Sequence, residues 1–209
     1  MEGGTPKEVL AINGPMPLLR HLDLSLKVVM TEDNALVVFE DAPLLRTVLV
    51  GFAAARLALP WAQLTSLTLN EVSYADCVSI LRLASNLVDC DLVGVSFHSA
   101  PAAPDVTLAR LESLNLKVRT FRGANLLGGA LILPALRRLT VGEWVTNAAL
   151  VPPLAAFIAQ AGCTRLEEVC IADTYLVSEQ ELRAAFPSIL TFTFVAQPTL
   201  INVSSPFFY

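Results

Sequence analysis

Histidine, the usual general base of enzymes, is scarce in this chain. Its 209 residues include two histidines, His21 and His98, so a Ser/His/Asp triad has few candidates. The sequence contains no GxGxxG, Walker A, HExxH or GxSxG motif. We predict that the chain is not an enzyme and binds no cofactor, and that His21 is a solvated surface side chain.

Four cysteines could bind a metal or form disulfides, but their spacing favours neither. Cys77, Cys90, Cys163 and Cys170 show no CxxC or other ligand spacing. Residues 1–8 are polar, and the apolar region of a signal peptide does not follow them. We therefore predict reduced thiols in an intracellular protein, cytoplasmic or nuclear, with no bound metal.

The charge of the chain favours a protein partner over nucleic acid. The net charge is −5 at pH 7 and the isoelectric point is about 5.0, whereas nucleic-acid binding requires a basic surface. Hydrophobic residues make up 54% of the chain and the mean hydropathy is +0.59. The longest apolar stretches, 48–55 and 148–159, are nevertheless too short to span a bilayer. We expect neither nucleic acid nor a membrane as a partner.

A recurring pattern of leucines predicts the elements that position the charged residues. The pattern is apolar at its first, fourth and sixth residues, which we call positions one, four and six. It begins eight times, at Leu19, Leu45, Leu64, Leu87, Leu111, Leu136, Leu166 and Ile189. Neighbouring units begin 19 to 30 residues apart, and a period of roughly 20–29 residues is typical of leucine-rich repeats. We predict an α/β leucine-rich-repeat solenoid: about eight parallel strands in a curved sheet, with short helices and irregular loops on the convex side.

The segments around these units define the predicted domain boundaries. Residues 1–16 are expected to be a leader, either loop or incomplete cap. Residues 17–196 are expected to form the solenoid. Residues 197–209 are expected to be a tail that caps the last unit or binds a partner.

The returns between the strands carry signals of their own. Prolines stand two residues before position one at Pro17, Pro43, Pro134 and Pro187, where a residue without an N–H group suits a strand entrance. Helices are predicted at 74–85, at 151–161 and after the capping box at 178–181. A helical turn is predicted at 34–41 and an irregular segment at 94–107.

Side chains at positions two, three and five are predicted to line the concave face of the sheet. Equal positions on neighbouring strands lie about 4.8 Å apart, which makes Glu112, Arg137 and Glu167 an acid–base–acid ladder. We predict that this face binds a protein partner through six residues: Asp89, Asp91, Glu112, Arg137, Arg138 and Glu168. Leu49 and Cys170 would add apolar contacts. The alternative is a solvated face whose neighbouring charges, such as Arg138 and Glu168, pair only weakly.

Three phrases of the sequence carry a resemblance to a known family. They are FEDAPLLR at 39–46, LPWAQLTSLTL at 59–69 and LPALRRL at 133–139. The chain from about residue 17 to 195 resembles the C-terminal repeat region of basidiomycete-fungal F-box proteins. The resemblance implies recognition of substrates for a cullin-type ubiquitin ligase.

The chain departs from that family at its start. The F-box should precede the repeats, and nothing in residues 1–16 matches it, so ligase components are expected partners only if an F-box exists upstream. The asparagine common at position nine of leucine-rich repeats is also missing, since Lys27, Ala53, Val72 and Val95 occupy its first four places. The alternative function is a structural or regulatory interaction scaffold not linked to ubiquitination.

Overall fold

The computed structural model describes residues 15–24, 37–39, 41–51, 57–95, 106–117, 131–142, 151–172 and 178–195. These residues form a mixed α/β structure with twelve strands and three α-helices. The strands are β1 (His21–Leu24), β2 (Val37–Val38), β3 (Thr47–Gly51), β4 (Leu57–Ala58), β5 (Ser66–Asn70), β6 (Asp89–Val93), β7 (Val106–Thr107), β8 (Ser113–Lys117), β9 (Leu131–Ile132), β10 (Arg138–Gly142), β11 (Glu168–Ala172) and β12 (Thr191–Val195). The helices are α1 (Tyr74–Leu83), α2 (Val151–Gln160) and α3 (Glu179–Ala185).

Eight of the strands form one parallel sheet. Their order, β1-β3-β5-β6-β8-β10-β11-β12, is also their order in the chain. Each contains positions three to six of one of the eight leucine-pattern units, so the prediction of eight parallel strands is confirmed. Position three pairs with position three throughout, from His21 with Thr47 at one edge to Glu168 with Thr191 at the other.

The sheet has one buried face and one open face. In β5, Leu67 and Leu69 are 1% and 0% exposed, whereas the polar residues between and beside them are half-buried. This alternation is the two-residue period of a strand with one face in the core. Leu81 of α1 and Leu154 of α2 join the same core, so these helices cover the buried face and leave the other one open.

A repeated main-chain contact aligns the strands where they begin. At seven successive junctions, the position-two carbonyl oxygen accepts hydrogen bonds from the position-two and position-three N–H groups of the next unit, at 2.8 to 3.2 Å. The accepting residues are Arg20, Arg46, Thr65, Val88, Glu112, Arg137 and Glu167. Because main-chain atoms make these contacts, position two accepts polar, apolar and charged side chains, provided that the residue has an N–H group.

A tight turn precedes the strands and explains the prolines. In seven units the position-one N–H group donates to the carbonyl oxygen three residues earlier, at 3.1 to 3.4 Å. The prolines occupy the second place of four such turns, where their fixed φ is favourable and no N–H group is required. The turn therefore explains the spacing of the prolines. From the sequence, the same spacing was explained by the entrance to the strand. The first residue of each turn points inward, as Trp61, Leu108 and Leu133 show.

The three predicted helices are confirmed, and the signals at their ends are present. Ser73 begins α1 by accepting a hydrogen bond from the N–H group of Asp76 at 3.1 Å. Ser178 and Glu181 exchange the two hydrogen bonds of a capping box, each 3.2 Å long, at the start of α3. After α2, Gly162 takes a φ of 63°, a left-handed conformation that glycine adopts without strain.

One prediction about the returns was wrong, and a second is tested only at its ends. The helical turn expected at 34–41 contains β2, which pairs in parallel with β4. Of the irregular segment expected at 94–107, residues 96–105 lie outside the described residues, and the last two form β7, which pairs in parallel with β9. These two-residue strands are rich in β-branched residues, which favour extended backbone, and the next return along the chain supplies their partner.

The predicted boundaries lie largely outside the described residues. Of the leader, Pro15 and Met16 are described, and the N–H group of Met16 donates to the carbonyl oxygen of Asp41 at 2.9 Å. Met16 therefore already belongs to the first turn. The tail at 197–209 and His98 lie outside the described residues.

Candidate functional site

The open face of the sheet carries all six residues of the predicted binding site. By open face we mean the side chains at positions two, three and five of the units. From β6 to β11, the position-three row is Asp89, Ser113, Arg138 and Glu168, and the position-five row is Asp91, Asn115, Thr140 and Cys170. All residues of both rows are exposed or half-buried, so both rows are accessible from the open side of the sheet.

An ion pair crosses the centre of this face. The Nη2 atom of Arg138 on β10 lies 3.9 Å from Oδ1 of Asp89 on β6, although β8 runs between the two strands. Ser113, the residue of β8 between them in register, has a short side chain and leaves the path open. Because the two side chains are 58% and 54% exposed, the pair contributes no more than about 1 kcal/mol.

This ion pair refines the predicted neighbourhood of Arg138. Register places Arg138 directly beside Glu168, as predicted. The guanidinium nevertheless turns the other way, toward Asp89. Glu168 therefore keeps a half-buried carboxylate on the open face, and within the described residues it has no cation within 4.0 Å.

The predicted ladder at position two is present as a backbone alignment without side-chain pairing. The N–H group of Arg137 donates to the carbonyl oxygen of Glu112, and that of Glu167 donates to the carbonyl oxygen of Arg137, each at 2.9 Å. All three side chains are exposed. In the part of the chain that the structure describes, none of them lies within 4.0 Å of an opposite charge. The chain thus leaves these three charges to solvent or to a partner.

A polar cluster beside the ion pair was missed by sequence reasoning. The Oγ1 atom of Thr68 donates to Oδ2 of Asp91 at 3.5 Å, and Asn115 is the register neighbour of Asp91. The Oδ1 atom of Asn115 is covered and has no hydrogen-bond partner. Among the described residues, it is the one buried side-chain oxygen or nitrogen in this situation. The sequence signal was available, because Asn115 stands at position five between Asp91 and Thr140.

Burial suppresses the chemistry of the four thiols. It raises the pKa of Cys77 and of Cys163 to about 12. Burial is also the main reason that the pKa of Cys90 lies well above its ordinary value, with a smaller contribution from Cys77. On the open face, burial raises the pKa of Cys170 against the lowering effect of a hydrogen bond with Thr140. None of the four is an activated nucleophile.

We expect the three buried cysteines, Cys77, Cys90 and Cys163, to resist a thiol-specific reagent at pH 8 in the folded protein, and all four cysteines to react after denaturation. A thiol whose pKa rises on folding stabilises the folded state below its unfolded pKa, here 9.0. The free energy of unfolding should therefore fall as the pH rises from 9 toward about 12, the folded pKa of Cys77 and Cys163. Labelling counted by mass spectrometry and urea titrations at pH 8 and pH 10 measure the two effects. Rapid labelling of Cys77 in the folded state would contradict its burial.

The described residues also bear on metal binding and on membrane insertion. No three histidine, cysteine, aspartate or glutamate side chains there are grouped so that they could hold a metal ion. No helix in the same residues has the length and apolar character needed to cross a membrane. Comparisons with protein-family models, with curated proteins and with solved structures found no match to this chain.

Proposed function

We propose that this chain is a protein-binding leucine-rich-repeat module, without catalytic activity, whose open face receives the partner. The observation that carries the proposal is the set of charged side chains at positions two, three and five of the units of β6 to β11, most of which have no opposite charge within 4.0 Å in the described chain. At positions two, three and five, these strands present five acidic residues and two arginines: Asp89, Asp91, Glu112, Glu167, Glu168, Arg137 and Arg138. One ion pair, at 3.9 Å, joins two of the seven.

The strand topology supports the solenoid part of this proposal. Eight equivalent units in chain order share one register and one buried core. A unit with three core residues cannot stand alone, because ordering about 24 residues costs roughly 24–48 kcal/mol of backbone entropy. Stacking lets each unit share its core with its neighbours, as expected of a repeat protein that offers an extended binding surface.

The link to a ubiquitin ligase rests on the sequence resemblance alone. The phrases at 39–46, 59–69 and 133–139 coincide with the turns and strand entrances before β3, β5 and β10. Their apolar residues build the core, and most of the predicted partner-binding residues lie outside them. The resemblance therefore supports the repeat architecture more strongly than it supports any one partner.

The proposed location of the protein is intracellular. All four cysteines are free, which is usual where thiols are kept reduced. Purification of the chain in the presence and in the absence of a ligase adaptor and cullin distinguishes the two functions, substrate recognition for a ligase and an interaction scaffold. Co-purification of both ligase components would favour the first function, and capture of other proteins without them would favour the second.

We expect the double variant Asp89→Lys/Asp91→Lys to bind a captured partner about tenfold more weakly or worse. Such a loss corresponds to about 1.4 kcal/mol, within the range for charged groups at interfaces. The free energy of unfolding should fall by no more than about 1 kcal/mol, because the ion pair of Asp89 is exposed and weak and the hydrogen bond from Thr68 to Asp91 is long, at 3.5 Å. Calorimetric titration measures the first quantity and urea unfolding the second.

A control is Asp41→Lys, which makes one such charge reversal, half the change in net charge, at an exposed residue outside the open face. Its affinity for the partner should equal that of the unaltered chain. Unchanged affinity in the double variant would remove Asp89 and Asp91 from the binding site. A loss of binding free energy in the control about half as large as that of the double variant would indicate that net charge, not position, governs binding.

A further inference from the structure

The last strand of the sheet presents an apolar edge. No described strand pairs with the outer side of β12. Leu190, Phe194 and Val195 are 74%, 39% and 45% exposed, although position six, held here by Phe194, is buried to 1% exposure or less in six of the other units. From Leu190 to Val195 the chain has no charged residue, proline or glycine, the residues with which proteins usually protect an edge strand.

The opposite edge of the sheet is different. β1 carries Asp23 and His21, both exposed, and Arg20 precedes them. Charged side chains on an edge strand oppose pairing with another strand. Head-to-tail addition of β12 to β1 of another copy would bring this protected edge against an apolar one. The two edges therefore do not complement each other, and an open-ended chain of copies is disfavoured.

The hydrogen-bonding groups of β12 alternate in direction. The N–H group of Thr191 donates inward to the carbonyl oxygen of Glu167, the residue before β11, at 3.0 Å. Because successive residues of a strand direct their N–H and C=O groups to opposite sides, those of Phe192 and Phe194 point away from the sheet. Two residues thus offer a donor and an acceptor each to an added strand.

The sequence of β12 is close to a palindrome, TFTFV. A two-fold interface sets the same strand against itself, so this near-symmetry lets each residue meet a similar one. With Thr193 on the axis, antiparallel pairing sets Phe192 opposite the second copy's Phe194. These are the two residues with outward groups, so each pair exchanges two hydrogen bonds. Thr191 meets Val195, and both are β-branched.

We propose that two copies of this chain associate through β12, in antiparallel register about Thr193, to form one continuous sheet. The partner of this surface is therefore a second copy of the same chain. Phe194 gains an aromatic neighbour across the interface, an arrangement that favours strand pairing. The contact involves about five residues a side, compared with roughly 20–30 in a standard interface, so the dimer forms weakly and its population depends on concentration.

Sedimentation equilibrium of the full chain tests this association. The mean mass should rise from 22.5 kDa toward twice that value as the concentration increases through the micromolar range. Thr193→Lys sets two like charges opposite each other on the axis and should weaken association by about tenfold or more. Thr193→Glu should do the same. An equimolar mixture of the two variants should dimerise again, because lysine then faces glutamate, and this recovery also shows that both variants are folded.

The control variant is Thr47→Lys, which adds the same charge at a half-buried threonine of β3 on the open face. Its mass should follow that of the unaltered chain. A monomer at every concentration would overturn the proposal, and so would growth beyond the dimer. Dimerisation of Thr193→Lys alone, or no recovery in the mixture, would show that Thr193 does not lie on the axis.

Discussion

Replacing Leu67 by aspartate is expected to unfold the protein. Leu67 is 1% exposed in β5 and lies in register between Val48 and Cys90 of the neighbouring strands. No cation stands near it to compensate a charge, since the described residues include no buried polar or charged side chain. Burying a carboxylate without a partner costs many kcal/mol, comparable with the roughly 5–15 kcal/mol by which proteins are usually stable. Circular dichroism and gel filtration should show loss of structure or aggregation.

The control for Leu67→Asp is Asn70→Asp on the same strand. Asn70 is half-buried on the side of the sheet that faces away from the core, and its register neighbours Gly51 and Val93 are uncharged. Asn70→Asp should keep the fold and lose less than about 1 kcal/mol. A folded and soluble Leu67→Asp protein would show that position four does not face the core, and the register of the whole sheet would then be wrong.

Replacing Trp61 by alanine is expected to cost about 3–5 kcal/mol. Trp61 begins the turn before β5, is 8% exposed, and accepts the turn hydrogen bond from Leu64 at 3.2 Å. Its indole ring belongs to the core beneath the sheet, so truncation leaves a cavity at the junction of turn and core. A loss of this size should lower the melting temperature by about 10 °C for a domain of this length.

A graded series separates the cavity from other effects of the change. Trp61→Phe keeps most of the buried volume and should cost less than about half as much as Trp61→Ala. Urea unfolding followed by far-ultraviolet circular dichroism is the suitable measurement, because the change removes one of two tryptophans and alters fluorescence. A loss below about 1 kcal/mol for Trp61→Ala would mean that the turn residue does not pack into the core.

The main sheet was predictable because its register depends on apolar spacing alone. Slipping a strand by one residue would move Leu67 and Leu69 to the polar side, so the leucine pattern fixes which residues align. The charged neighbours Arg138 and Glu168 follow from that alignment without further information. Helix starts were equally predictable, since Ser178 and Glu181 form a capping box within four residues of sequence.

The remaining features depend on contacts that sequence spacing does not encode. The pairing of β2 with β4 requires two returns of different length to come together. Arg138 selects Asp89 over Glu168 through the reach of its side chain across a serine. The covered oxygen of Asn115 results from packing between strands, and strand periodicity gives the side of the sheet but not the rotamer.

The chain-order arrangement of the main sheet bears on how such a protein can change over generations. Every strand pairs only with the units before and after it in the sequence. Duplicating one turn-strand-return unit would therefore insert a strand and lengthen the sheet by about 4.8 Å. The insertion would break one strand pairing, and two new pairings would replace it. The uneven spacing of the units, from 19 residues to 30, shows that the returns already tolerate insertions and deletions. Such a chain can gain or lose length in whole units while every strand except the two beside the change keeps its neighbours.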